Sequence, residues 1–266
     1  MAFVQSNNSN SDQIAAAAYK KKAANIVFEV NATKQGSKFL DHLILLYGEP
    51  KIGKTTLFSK FPGVYFLPTE PGYRAVKVRK TPIPDWATFR QFVLWAEGHP
   101  NDIKDTKLWC IDTVTNLSKA AMQWVCGRDG ISHPSDEEWG KGWEAFGDEF
   151  AFWVLRLVNL GKGVAFIAHS KTREIVSRRI KVTKEVPDLA KRTYGFINPL
   201  VDMILNMGFV ERGRDEDALG EKRCIYTKPT EIRDAGDRTG KLPDCIEFKT
   251  EQEAVFKIMR AFNKAE

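Results

Sequence analysis

The residues best placed to do chemistry are Gly48-Glu49-Pro50-Lys51-Ile52-Gly53-Lys54-Thr55, a Gly-x-x-x-x-Gly-Lys-Thr phosphate loop. Glycines at both ends let backbone N–H groups turn inward around an anion. Lys54 is the residue type that reaches β- and γ-phosphates, and Thr55 the type whose hydroxyl ligates Mg²⁺, with Thr56 completing the cradle. A turn before a surface helix can carry the same spacing by chance. Here an apolar run, Leu43–Tyr47, precedes the loop and "TLFSKF" follows it. Strand, loop and helix in that order are the context a phosphate loop needs. The residues therefore imply binding of a nucleoside triphosphate, with ATP and Mg²⁺ the expected ligands.

Carboxylates come next. In "LWCIDT" four apolar residues deliver Asp112 to the tip of a buried strand, where it can hold the metal and its water shell. Thr113 follows it, not glutamate, so a base that activates water has to come from elsewhere. Glu70, ending "VYFLPTE", is the candidate: a carboxylate there can face the γ-phosphate and orient an attacking water. His169, ending "AFIAHS", is a polar group placed to sense that phosphate. Each has a plainer reading: a helix cap for Asp112, a solvated loop acid for Glu70, a structural histidine for His169.

The elements that must position these residues alternate between strand and helix. Strands are expected at 43–47, 63–70, 107–113, 163–170, 202–210 and 222–230. Helices are expected after the loop, over the Trp86–Ala96 repeat, from Val114 to a stop at Gly127, and from Asp136 to Gly161. The tryptophans of that last helix (Trp139, Trp143 and Trp153) recur at helical spacing and read as core. The alternation predicts an α/β fold with a mostly parallel sheet flanked by helices on both faces. Residues 1–39 form an N-terminal arm, Asn/Ser-rich at first, with a short helix at 13–25 and a strand at 25–30; residues 40–266 form the main domain. With 43% apolar and 28% charged residues, the chain reads as an ordinary soluble protein without a membrane span, and as cytoplasmic. Cys110, Cys126, Cys224 and Cys245 form no C-x-x-C pair and read as free thiols.

The ordered set of phosphate loop, Glu70, Asp112 without an adjacent glutamate, and His169 resembles the RecA-like ATPases. The phrases "YGEPKIGKTTL", "LPTEPGYR", "IDTVTNL", "FIAHS" and "DRTGKLPDCI" are similar to phage-encoded ATPases of the shortened RecA core type. That resemblance, over residues 40–250, implies a RecA-like P-loop core. It also implies DNA-stimulated ATP hydrolysis in recombination or single-strand annealing, homo-oligomers, and a single-strand-binding protein as partner. It places the mobile DNA-binding loop at 171–192, "KTREIVSRRIKVTKEVPDLAKR", where eight basic and three acidic residues leave a charge of +5 against +6 for the whole chain. Lys171, Arg173, Arg178, Arg179, Lys181 and Lys184 are the expected contacts to single-stranded DNA, made to its backbone more than its bases. A solvated hairpin is the plainer reading of the same alternation. By position, Arg223, Lys228, Arg233 and Arg238 are candidates for a charge completing a neighbouring subunit's site. Two other functions share the phosphate loop: a nucleotide or small-molecule kinase, and an ATP-driven switch such as a helicase loader.

Overall fold

The computed structural model describes residues 38–177, 180–210 and 222–263. The arm at 1–39, but for its last two residues, lies outside them, as do Arg178 and Arg179. The order of the main sheet is β10-β8-β7-β1-β5-β4-β2-β3, where β1 is Leu43–Gly48, β2 Val64–Pro68, β3 Arg79–Lys80, β4 Leu108–Asp112, β5 Gly163–Ser177, β7 Met203–Phe209, β8 Arg223–Tyr226 and β10 Cys245–Phe248. β6 (Ile180–Pro187) pairs with β5, and β9 (Gly236–Asp237) with β7. From β7 through β3 every neighbouring pair along the sheet is parallel; β8 and β10 add antiparallel.

Alternation along the strands divides the core in two, because successive strand side chains point to opposite faces. Leu45, Tyr47, Trp109, Ile111, Val164 and Phe166 pack with α2 (Trp86–Gly98), α3 (Val114–Asp129), α4 (Lys141–Val158) and α5 (Lys191–Leu200). Ile44, Leu46, Cys110, Ala165 and Ile167 pack with α1 (Lys54–Ser59) and α6 (Glu251–Asn263). The expected mostly parallel sheet with helices on both faces is therefore present. Asp85 starts α2 by accepting from Thr88 N, and Thr113 starts α3 by accepting from Asn116 N.

Four local expectations are corrected. α3 runs past Gly127 and ends at Gly130, whose φ of +70° suits a left-handed helix stop. The long helix begins at Lys141 instead of Asp136, because Trp139 and Gly140 have positive φ. In consequence Trp139 is 91% exposed, whereas Trp153, well inside α4, is buried as expected. Cys224 and Cys245 are joined as a disulfide between neighbouring strands β8 and β10, not left as free thiols. The segment from 171, expected as a loop, takes the plainer hairpin form: β5 continues through Ser177 and pairs antiparallel with β6, with Ser170 opposite Pro187 and Arg173 opposite Lys184. Its β-branched, alternating sequence favours a two-stranded ladder. Two elements near the C-terminus, β10 and α6, and the short α5 went unread from sequence.

Candidate functional site

The phosphate loop joins β1 to α1, and two left-handed residues bend it, Lys51 at φ +65° and Gly53 at φ +112°. Gly48 cannot be larger: a Cβ there would lie 2.2 Å from the Met207 carbonyl oxygen of β7. Lys51 is exposed, whereas Lys54 is 5% exposed. The Lys54 ammonium donates to the carbonyl oxygens of Gly48 (2.8 Å) and Glu49 (2.7 Å), so the cradle is folded around its own lysine. Burial lowers the Lys54 pKa to about 8, against the opposing pull of Asp112 and Glu70.

Strand register brings the other groups to the same edge. Gly48 is level with His169, and Pro68, Asp112 and Ile167 are level with one another, so Glu70, Asp112 and His169 all stand at or just beyond the carboxyl ends of their inner-sheet neighbours. Asp112 Oδ2 accepts from Thr55 Oγ1 at 2.6 Å and from the Tyr73 hydroxyl at 2.6 Å. Burial and the Asp112 charge push the Tyr73 phenol far above its ordinary range, so it stays a donor. Glu70 Oε1 accepts from Thr113 Oγ1 and from Asn116 Nδ2, both at 3.0 Å, and lies 3.8 Å from His169 Nε2. Thr69 cross-links the same corner, donating to the Thr113 carbonyl at 3.0 Å and accepting from Thr113 N at 2.9 Å.

The residues present fit a Mg²⁺–nucleotide complex. Thr55 and Asp112 are already within one hydrogen bond of each other, a hydroxyl and a carboxylate that can turn to a shared cation. Among the described residues no cluster of three or more His, Cys, Asp or Glu could hold a metal alone. Mg²⁺ takes one or two protein ligands and fills the rest from phosphates and water. Bound there, the metal neutralises phosphate charge.

Sequence reasoning missed the residues that hold these groups. Thr113, Asn116 and Tyr73 are three. Arg223 and Glu251 are two more: Arg223 Nη1 donates to the Ile52 carbonyl at 3.0 Å and pairs with Glu251 Oε1 at 2.5 Å, behind the loop. Arg223, expected as a candidate for the neighbouring subunit's site, is thus committed to its own loop. Of the other three, Arg233 is buried with its guanidinium 3.5 Å from the Tyr226 ring centroid, Lys228 pairs with Asp244, and Arg238 donates to the Pro199 carbonyl.

Lys171, Arg173 and Lys184 share one face of the β5–β6 hairpin; Lys181 shares the other with Glu174 and Glu185. Lys171 is 3.0 Å from Asp188, and Lys184 is 2.5 Å from Asp234. Asp234 also accepts from the Tyr194 hydroxyl, and its carbonyl accepts from Tyr47, the residue before Gly48. Arg173 and Lys181 are exposed, and among the described residues neither has an ion-pair partner. Among the described residues, no helix is long and apolar enough to cross a membrane.

The AAA domain family matches over residues 41–239. The chain is 26% identical over 199 residues to YorG, an SPbeta prophage-derived uncharacterized protein of Bacillus subtilis (strain 168). That alignment covers 74% of this chain and 59% of YorG, so the chain spans little more than half of that relative. Among solved structures it is similar to the flagellar accessory protein FlaH of Methanocaldococcus jannaschii, with TM-score 0.43, 11% identity, and 79% and 85% of the two chains covered. It is also similar to a KaiC-like protein of Pyrococcus horikoshii, with TM-score 0.41, 12% identity, and 70% and 78% covered. The chain belongs to the AAA domain family, and its core is a RecA-like P-loop ATP-binding fold.

Proposed function

We propose that the protein hydrolyses MgATP and couples the nucleotide to binding of single-stranded DNA, in phage recombination or annealing. One observation carries the coupling: β5 runs unbroken from Gly163 to Ser177, with His169 midway along it and the basic hairpin beyond. A shift of His169 toward a γ-phosphate is passed along a continuous strand to the hairpin, a local contact with a distant readout. In hydrolysis Lys54 would hold the phosphates, Thr55 and Asp112 would hold the metal, and Glu70 would orient the water. With Glu70 Oε1 taken by Thr113 and Asn116, Oε2 is the oxygen left to accept from that water.

DNA contact falls to the exposed Arg173 and Lys181 and to the neighbouring Arg178 and Arg179, binding phosphates without reading sequence. Several copies along one strand, beside a single-strand-binding protein, complete this reading. The exposed apolar side chains Leu94, Trp95, Phe152 and Leu155 on α2 and α4 support a subunit contact. The prophage origin of YorG supports the phage setting.

The test is ATP turnover of wild type and Glu70→Gln, with and without single-stranded DNA, at two salt concentrations. Expected are salt-sensitive stimulation in wild type and a loss of about 10²–10⁴-fold in the variant, with ATP binding retained. No stimulation and no DNA binding at low salt would sink the coupling. Phosphate transfer to a nucleotide acceptor would point to a kinase instead.

A further inference from the structure

Tyr73 touches the metal-holding carboxylate, yet no step of hydrolysis calls on it. Thr55 and Tyr73 both donate to Asp112 Oδ2 at 2.6 Å, an oxygen with two lone pairs to receive them. The two donors differ in what happens next. Thr55 belongs to the phosphate-loop motif, and its hydroxyl would turn to the cation of a bound MgATP. From then on Asp112 has lost one of its two anchors. The terminal torsion of an aspartate is broad and roughly two-fold, so a carboxylate with fewer donors is less firmly oriented.

Tyr73 is built to remain. Its ring stands edge-on to Phe66 of β2, with centroids 5.6 Å apart, and under the Lys80 ammonium of β3 at 5.0 Å. The short turn that carries it, Tyr73–Ala75, follows Pro71–Gly72 directly after Glu70. Three strands are therefore bridged by one side chain: β2 and β3 through the ring, β4 through the hydroxyl. A donor held from elsewhere in the fold is the kind of support that orients metal-ligating carboxylates.

We propose that Tyr73 is a positioning residue for the metal site, its hydroxyl fixing the Asp112 carboxylate so that it faces the Mg²⁺ of a bound nucleotide. The inference rests on the ATP-binding reading of the site. The opposite role, a latch that keeps metal out, predicts the opposite sign on removal of the hydroxyl, so the two are separable.

Tyr73→Phe keeps the ring on Phe66 and beneath Lys80 and removes only the hydroxyl. Binding of a fluorescent ATP analogue to the full chain is measured in EDTA and across a Mg²⁺ series. Loss of the free Mn²⁺ paramagnetic resonance signal, with a non-hydrolysable analogue present, reports metal uptake directly. Expected are unchanged affinity in EDTA, which also shows that the variant is folded, and a Mg²⁺ midpoint raised about tenfold, with Mn²⁺ uptake weakened to match. An unchanged midpoint, or a lower one, overturns the proposal while leaving the ATP reading intact. Failure of the wild type to bind the analogue at any Mg²⁺ concentration overturns both.

Discussion

Replacing Gly53 by alanine tests whether the phosphate loop is clamped from behind by the C-terminal elements. Gly53 has φ 112° and ψ 14°, a conformation that costs a residue with a side chain about 1–3 kcal/mol. A Cβ there would lie 2.6 Å from Glu251 Oε1 and 2.7 Å from Arg223 Nη1, well inside contact distance. Both atoms end flexible side chains, so the ion pair moves before the backbone does. That movement breaks the Arg223–Ile52 carbonyl bond, a charged hydrogen bond worth about 1.5–3 kcal/mol. The two contributions predict a loss of about 2.5–6 kcal/mol, read by urea denaturation of the full chain. In an Arg223→Ala background the Ile52 bond is already absent, and the new Cβ meets only the flexible end of Glu251. The cost of Gly53→Ala should then fall toward the backbone part, giving a coupling of at least about 1 kcal/mol in the double-mutant cycle. Strictly additive costs, or a single variant within about 0.5 kcal/mol of wild type, would refute the clamp.

Other outcomes follow from the same geometry. Lys54 is held near pKa 8 by burial, and a triphosphate requires its charged form; ATP affinity should be level below that pH and fall about tenfold per unit above it, with proton uptake on binding. Lys54→Arg should flatten the profile, and a level wild-type profile would remove the argument. The same depression, from an ordinary 10.5, means that a protonated Lys54 opposes folding, so the nucleotide-free protein gains stability as pH rises from about 8 toward 10.5. If the hairpin binds single-stranded DNA, Arg173→Ala and Lys181→Ala should each lower the slope of log K against log salt by about 0.7, while Lys184→Met, whose ammonium is already held by Asp234, should leave it unchanged. Trp139→Ala should shift stability by less than about 0.5 kcal/mol and Trp153→Ala by about 3–5 kcal/mol, in line with 91% and 3% exposure.

The phosphate loop, Asp112, Glu70 and His169 were legible in the sequence because each sits where an apolar run stops. Sheet strands announce themselves by such runs, and glycine spacing announces a tight anion-binding turn. The alternation of strands and helices carried the fold class for the same local reason. The tip of α4 was misread because helical periodicity is blind to a single left-handed residue, and Trp139 has φ +59°. The 171–187 segment was read first as a DNA-binding loop because of its charge, while its period-two alternation carried the hairpin as the plainer reading. What only the tertiary structure decided is which partner each site residue has. Glu70 is held by Asn116, 46 residues away, Asp112 by Tyr73, 39 away, and the loop carbonyl of Ile52 by Arg223, 171 away. Contacts at such separations leave no periodicity in the chain, since they arise from strand order and register. A carboxylate at a strand tip is a property of the sequence; the hydroxyl that aims it is a property of the fold.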